Sequence, residues 1–365
     1  MPVQKNVFTA EPLPAKVRHV LKVLPKATSW DEMPVEIMPA VKGSTVPELF
    51  TVTRRIGFGE CDAARIYKTP RAIDIAVEAI DAWFEAAIGV TWTTLVTQHD
   101  LDLFFTRIAC EYLRPVTSSQ TVRVCIRVIK VEVAAVTFMA TAGIDDNQPC
   151  FRVTLVTCLN SRTTSEPIPI PSTYRQTIER YLSVCMDDRR ESPGGHHAVR
   201  KAEYQGQKDA VRIPVSLMEQ AGAMFVQQHR IVFGECGLSG RVYPPRVYDM
   251  ALEAVGEWYE RIIGITWLQQ CIDLKGQPFV DINCLYLRDM KAGRLLNIAV
   301  RVKHLGAASI VYSVVGYDDS GLPCFDAQLA ACYIDERSGV YKPTPFPEDY
   351  RRRIQDYQAR CNAGD

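Results

Sequence analysis

The segment FGECDAARIYKTPRAIDIAVEAIDAWFEAAIGVTW (58–92) returns as FGECGLSGRVYPPRVYDMALEAVGEWYERIIGITW (233–267). The offset is a constant 175, which sets Glu60 against Glu235, Asp74 against Asp249, Trp83 against Trp258 and Gly89 against Gly264. A repeated pattern of apolar positions and turns dictates a repeated core, so the chain must fold as two copies of one unit. The match continues: CEYLRPV from Cys110 answers CLYLRDM from Cys284, and DDNQPCFRVTLVTC from Asp145 answers DDSGLPCFDAQLAAC from Asp318. The organisation reads as an N-terminal extension (1–49), a first unit (50–182), a charged linker with Pro-Gly-Gly (183–222), a second unit (223–352) and a C-terminal tail (353–365).

Within each unit a short strand leads into the F-G-E-C turn. Pro70 or Pro245 then stands where the first turn of a helix tolerates proline, and Gly89 or Gly264 stops that helix. The first helix is apolar on most of its circumference, with Asp74, Glu78, Asp81 and Glu85 on one narrow stripe. Such a helix has to be wrapped, and the runs that follow, such as TVRVCIRVIKVEV and FRVTLVTCL, read as strands. The expected class is α+β: two units, each a long helix inside a curved antiparallel sheet. Pairing the units edge to edge would remove two open strand edges, so one continuous sheet with the helices on one side is expected. The acidic stripe reads as an ordinary charged helix face.

Composition narrows the function. Among 365 residues, 42 basic and 42 acidic side chains cancel, so no global field is available to hold nucleic acid or an anionic membrane. No run is long and apolar enough to span a bilayer, and the first residues lack the apolar block of a signal peptide, so a cytoplasmic location is expected. The 12 cysteines are dispersed without a C-x-x-C pair and read as small buried hydrophobes. The six histidines show no metal-ligand spacing, and no metal is expected.

Asp62 is the residue with a chemical use. A carboxylate on a loop just before a helix start lies near unpaired backbone N–H groups and the positive end of the helix dipole. There it can attack a carbonyl carbon or activate water while the amides stabilise the oxyanion. Pro70 has no N–H, so the donors would come from Thr69, Arg71 or Ala72. The ordinary reading of Asp62 is that it stabilises a turn, as Asp does routinely.

The stretch RRIGFGECDAARIYKTPR (54–71) resembles the signature of the 4-hydroxybenzoyl-CoA thioesterase family of hotdog-fold proteins: an aromatic-Gly-acid-Cys-Asp turn, a small residue, an apolar pair and a helix-opening proline. The resemblance covers both units and implies a tandem double hotdog acting on thioesters of coenzyme A or of an acyl carrier protein. It assigns the nucleophile or general base to Asp62 and the carbonyl-polarising amide to the Thr69 N–H. Coenzyme A or phosphopantetheine would then enter as part of the substrate, with no separate cofactor. Hotdogs pair and stack, which implies an active site between the two units and a homodimer of chains.

The second turn departs from this signature, because Gly237 stands where the acid should be. Its Arg241-Val242-Tyr243 is read as aligned with Arg65-Ile66-Tyr67, with one residue inserted before it and one removed after it. Two other readings stay in view. One is a dehydratase or hydratase of acyl thioesters, which would need a histidine paired with an acid, and neither turn motif contains a histidine. The other is a non-catalytic thioester-binding module. Glu60 and Arg71 are the candidates for substrate contact beside Asp62, and Arg127, Lys130, Arg301, Lys303 and His304 are candidates for the phosphates of coenzyme A.

Overall fold

The computed structural model describes residues 49–63, 65–144, 148–164, 166–187, 225–273, 275–335 and 342–363. The expected extension up to residue 48 and the linker from 188 to 224 lie outside the described residues.

The first unit consists of β1 (Thr51–Arg55), helix α1 (Thr69–Ile88), the short α2 (Trp92–Gln98), β2 (Leu101–Tyr112), β3 (Thr121–Val131), β4 (Ala135–Gly143), β5 (Pro149–Ser161) and α3 (Ser172–Asp187). The second repeats the order: β6 (Phe225–Arg230), α4 (Pro244–Ile263), α5 (Trp267–Ile272), a two-residue β7 (Lys275–Gly276), β8 (Phe279–Tyr286), β9 (Leu295–Leu305), β10 (Ser309–Tyr317), β11 (Pro323–Cys332), β12 (Ile334–Asp335) and α6 (Glu348–Ala363). Two boundaries move. Helix α3 runs past 182 to Asp187, and residues expected as a tail after 352 continue α6, whose Ile354, Tyr357 and Cys361 are buried.

Ten strands form one antiparallel sheet in the order β1-β3-β4-β5-β2-β8-β11-β10-β9-β6. The seam joining the units is β2 against β8, where Arg107, Ile108, Ala109, Cys110 and Glu111 face Leu285, Cys284, Asn283, Ile282 and Asp281. Because Cys110 and Cys284 are repeat partners, the register is symmetric about the Ala109–Asn283 pair. Arg107 Nε donates to Asn283 Oδ1 at 2.8 Å, and Tyr248 on α4 donates its hydroxyl to the Ile108 carbonyl at 2.7 Å, so the seam is pinned from both sides.

Each long helix is held by the residues the repeat predicts. Gly89 and Gly264 take φ of 79° and 83°, where glycine alone carries no Cβ penalty, and their N–H groups close the last turns. Trp83 and Trp258 are wholly buried at the centres of the two units, against Tyr181 and Tyr357. These tyrosines have a second duty in both copies: Tyr181 accepts from Phe50 N–H and donates to the Ile126 carbonyl, and Tyr357 accepts from Phe225 N–H and donates to the Val300 carbonyl. The outer helices therefore tie down the first strand of each unit through one side chain.

Candidate active site

The first turn starts as a 3-10 turn, Phe58–Glu60. Glu60 closes it by accepting from Gly57 N–H and from Arg54, both at 2.7 Å. Beyond Cys61 the chain reverses: Asp62 N–H donates to the Ile66 carbonyl at 2.9 Å, Ile66 N–H donates to Asp62 Oδ1 at 3.0 Å, and Arg65 N–H donates to the Asp62 carbonyl at 3.0 Å. Arg65 takes φ of 66°, in the left-handed region, to complete the reversal. Asp62 is exposed and does perform the turn-stabilising role expected of an aspartate.

The reversal delivers the chain to the start of α1. Lys68 N–H is bonded to the Glu60 carbonyl and Arg71 N–H to the Lys68 carbonyl, which removes Arg71 from the candidate oxyanion donors. Among the described residues no hydrogen bond engages the Thr69 N–H at the first position of α1.

The second turn has the same backbone, bond for bond. Gly237 N–H donates to the Arg241 carbonyl (2.8 Å), Gly240 N–H to the Gly237 carbonyl (2.9 Å) and Tyr243 N–H to the Glu235 carbonyl (2.8 Å), and Gly240 takes φ of 75°. The offset of 175 therefore runs through the turn unbroken, and the insertion and deletion read from the sequence do not exist. Matching the two R-hydrophobic-Tyr triplets misled the alignment. In the true register Asp62 answers Gly237 and Thr69 answers Pro244, the first residue of α4. The second turn has lost the carboxylate and, because proline has no N–H, the amide donor as well.

Histidine was missed beside this turn. His229 on β6 bonds Glu235 through Nε2 at 2.9 Å, in the place where Arg54 bonds Glu60. The signal was His229 six residues before Glu235, at the repeat position of Arg54. By that equivalence the pair holds the turn.

Two cavities lie between the units. The first, about 400 Å³, opens at the N-terminal ends of α1 and α4 and is charged; Glu60 and Lys68 on its wall flank Asp62, which does not itself line it. Across it runs a ring of four repeat-related side chains. Arg71 pairs with Asp74 on its own helix and with Asp249 on the other (2.6 Å), and Arg246 pairs with Asp249 (2.6 Å) and with Asp74 (3.0 Å). Burial pushes the Asp74 carboxyl up to about 7 and raises Asp249 as well, against the pull of the arginines. The stripe residues Asp74 and Asp249 thus lock the two units together. The second cavity, about 300 Å³, lies beside the acid-less turn.

Glu60 and Arg71 share the wall of the charged cavity, Glu60 tied to its turn and Arg71 to the ion-pair ring. The other candidates do not join them there. Arg127 is buried and donates to the Cys185 carbonyl at the end of α3. Lys130 is exposed, paired with Glu132, at the end of β3 away from the turn, while Arg301, Lys303 and His304 lie on β9 near the opposite edge of the sheet. These cations cannot grip one coenzyme A together. No group of side chains suited to hold a metal ion occurs among the described residues.

Comparisons with known proteins agree with this architecture. Residues 56–178 match the family model of the thioesterase-like superfamily, and residues 254–325 match that of the thioesterase superfamily. A comparison with curated protein sequences returns no match. Among solved structures, the 12:0-ACP thioesterase from Umbellularia californica is similar over 78% of this chain and 94% of its own, with a TM-score of 0.58 at 14% identity. An acyl-ACP thioesterase from Bacteroides thetaiotaomicron is similar over 78% of this chain and 97% of its own, with a TM-score of 0.54 at 11% identity. At such identities the solved structures speak for the fold.

A long helix in a curved antiparallel sheet, made twice and joined through one seam, is a tandem double hotdog. The two family matches together take in more than half of the chain, which belongs to the thioesterase superfamily, a class whose reaction is thioester hydrolysis.

Proposed function

We propose that the protein hydrolyses an acyl thioester of coenzyme A or of an acyl carrier protein at the first turn, with Asp62 and the Thr69 N–H as the working pair. One observation carries the reading: the first turn keeps a carboxylate and an amide without an acceptor among the described residues, and the second, on the same backbone, has exchanged both for Gly237 and Pro244. Loss of both parts together is the pattern of a retired duplicate of one chemical site.

In this reading the thioester oxygen meets the Thr69 N–H at the start of α1, where the helix dipole favours developing negative charge. Asp62 then either attacks the carbonyl carbon, forming an anhydride as the C–S bond breaks and the thiolate leaves, after which water hydrolyses the anhydride and restores the carboxylate, or takes a proton from the water that attacks the thioester directly. Both routes end in a free acid and a free thiol. The second unit remains as the far wall, which the seam and the ion-pair ring hold in place.

The test is a panel of acyl- and aryl-thioesters of coenzyme A and of carrier protein, followed by a thiol-trapping dye. Free thiol released by the native protein, and reduced by about two orders of magnitude or more in Asp62→Asn, supports the proposal. Full activity in Asp62→Asn overturns the role of Asp62, and formation of an enoyl product overturns hydrolysis.

A further inference from the structure

The cavity beside the acid-less turn is better formed as an apolar container than the charged cavity between the helix ends. Leu103, Phe104 and Phe105 of β2 and Trp92 of α2 face it from the first unit, and Val242 and Met290 from the second. Its turn lacks the pair to which hydrolysis is assigned above. Gly237 brings no carboxylate, Pro244 no N–H, and the amides of Gly237, Val242 and Tyr243 are all spent on backbone carbonyls.

Its charges are also committed. Arg241 is held between Asp102 and Asp289, each at 3.0 Å, and Arg288 donates to the Pro323 carbonyl at 2.9 Å. Asp81 accepts from the Trp92 backbone N–H at 2.9 Å. Carboxylates on the wall (Glu78, Asp81, Asp102, Asp289) outnumber the two arginines, so a phosphate or free carboxylate would be repelled. About 300 Å³ is at the lower end of the range for small-molecule sites, and mostly apolar walls are their usual composition.

We propose that this cavity is a second, non-hydrolytic binding site that takes the apolar group of an uncharged ligand, of the size of a medium acyl chain. The duplicate has kept a container after losing its chemistry. The proposal stands apart from the catalytic reading, since it requires no reaction at Asp62.

The probe is 10-bromodecan-1-ol, which is uncharged and carries an anomalous scatterer. In crystals of the full chain soaked with it, the bromine peak is expected between Leu103 and Met290; a peak elsewhere, or none, overturns the proposal. In solution, calorimetry should give one equivalent bound by the native protein and by Asp62→Asn alike. Leu103→Trp, which fills the cavity, should weaken that binding about tenfold or more. Leu238→Trp, at an exposed position on the rim, provides a variant whose folding is not at risk and should weaken binding as well. Unchanged affinity in a folded Leu103→Trp or Leu238→Trp protein, or loss of binding in Asp62→Asn, overturns the assignment.

Discussion

The guanidinium of Arg71 reaches from the helix of one unit to the carboxylate of Asp249 on the helix of the other, at 2.6 Å. Removing Arg71 leaves a partly buried Asp249 with Arg246 alone. Breaking a buried pair costs about 3–5 kcal/mol, and the remaining exposure of Asp249 brings the expectation for Arg71→Met down to about 2 kcal/mol. Urea unfolding of Arg71→Met, Asp249→Asn and the double variant should reveal a coupling of at least about 1 kcal/mol. Additive losses would mean that the ring does not join the units energetically.

Asp74 makes stability depend on pH in a defined direction. Its folded value of about 7 lies above the ordinary 3.8, so between those values the folded protein holds a proton that the unfolded chain has released. The cost of charging it is absent below about pH 4 and complete above about pH 7, so stability should fall as pH rises through that window, by at most about 4 kcal/mol. In Asp74→Asn the fall should be smaller. Parallel pH profiles for the native protein and the variant would sink this assignment.

Thr69→Pro imitates the second unit, where Pro244 and Pro245 open α4 without harm to the helix. The variant should fold with a melting temperature close to the native one. Turnover should drop by about two to three orders of magnitude, the usual cost of one oxyanion donor. An active Thr69→Pro protein would show that the Thr69 N–H is not the donor.

Gly237→Ala should change neither property. Its φ is outside the left-handed region, and an added Cβ meets nothing within 4 Å. Stability within about 0.5 kcal/mol of native is expected, and turnover within twofold. A large loss of turnover would return chemistry to the second turn.

Gly256 is the opposite case. A Cβ there would lie 2.5 Å from Nε1 of Trp267, which is stacked on Tyr259, so the indole would have to move. Overpacking of this kind costs about 1–3 kcal/mol, and thermal unfolding of Gly256→Ala should show it as a lowered midpoint. An unchanged midpoint would mean that Trp267 yields freely.

The repeat, the two helices with their proline starts and glycine stops, and the α+β class could all be read from the sequence, because each rests on local pattern: apolar spacing, φ-restricted residues and recurrence at 175. The importance of the two turns was legible as well, since Asp62 against Gly237 is a difference of letters. Other features depend on contacts between residues far apart in the chain. The stripe residues Asp74 and Asp249 look like solvated helix charges until the two helices meet and each finds an arginine of the other unit. The cations on β3 and β9 look like one phosphate-binding set until the sheet places them near opposite edges. Even the register within the second turn, where the shared Arg and Tyr point to an insertion and a deletion, was decided by backbone hydrogen bonds that run at the offset of 175 throughout. Local sequence set the elements and their ends; pairing across the seam decided which side chains could meet.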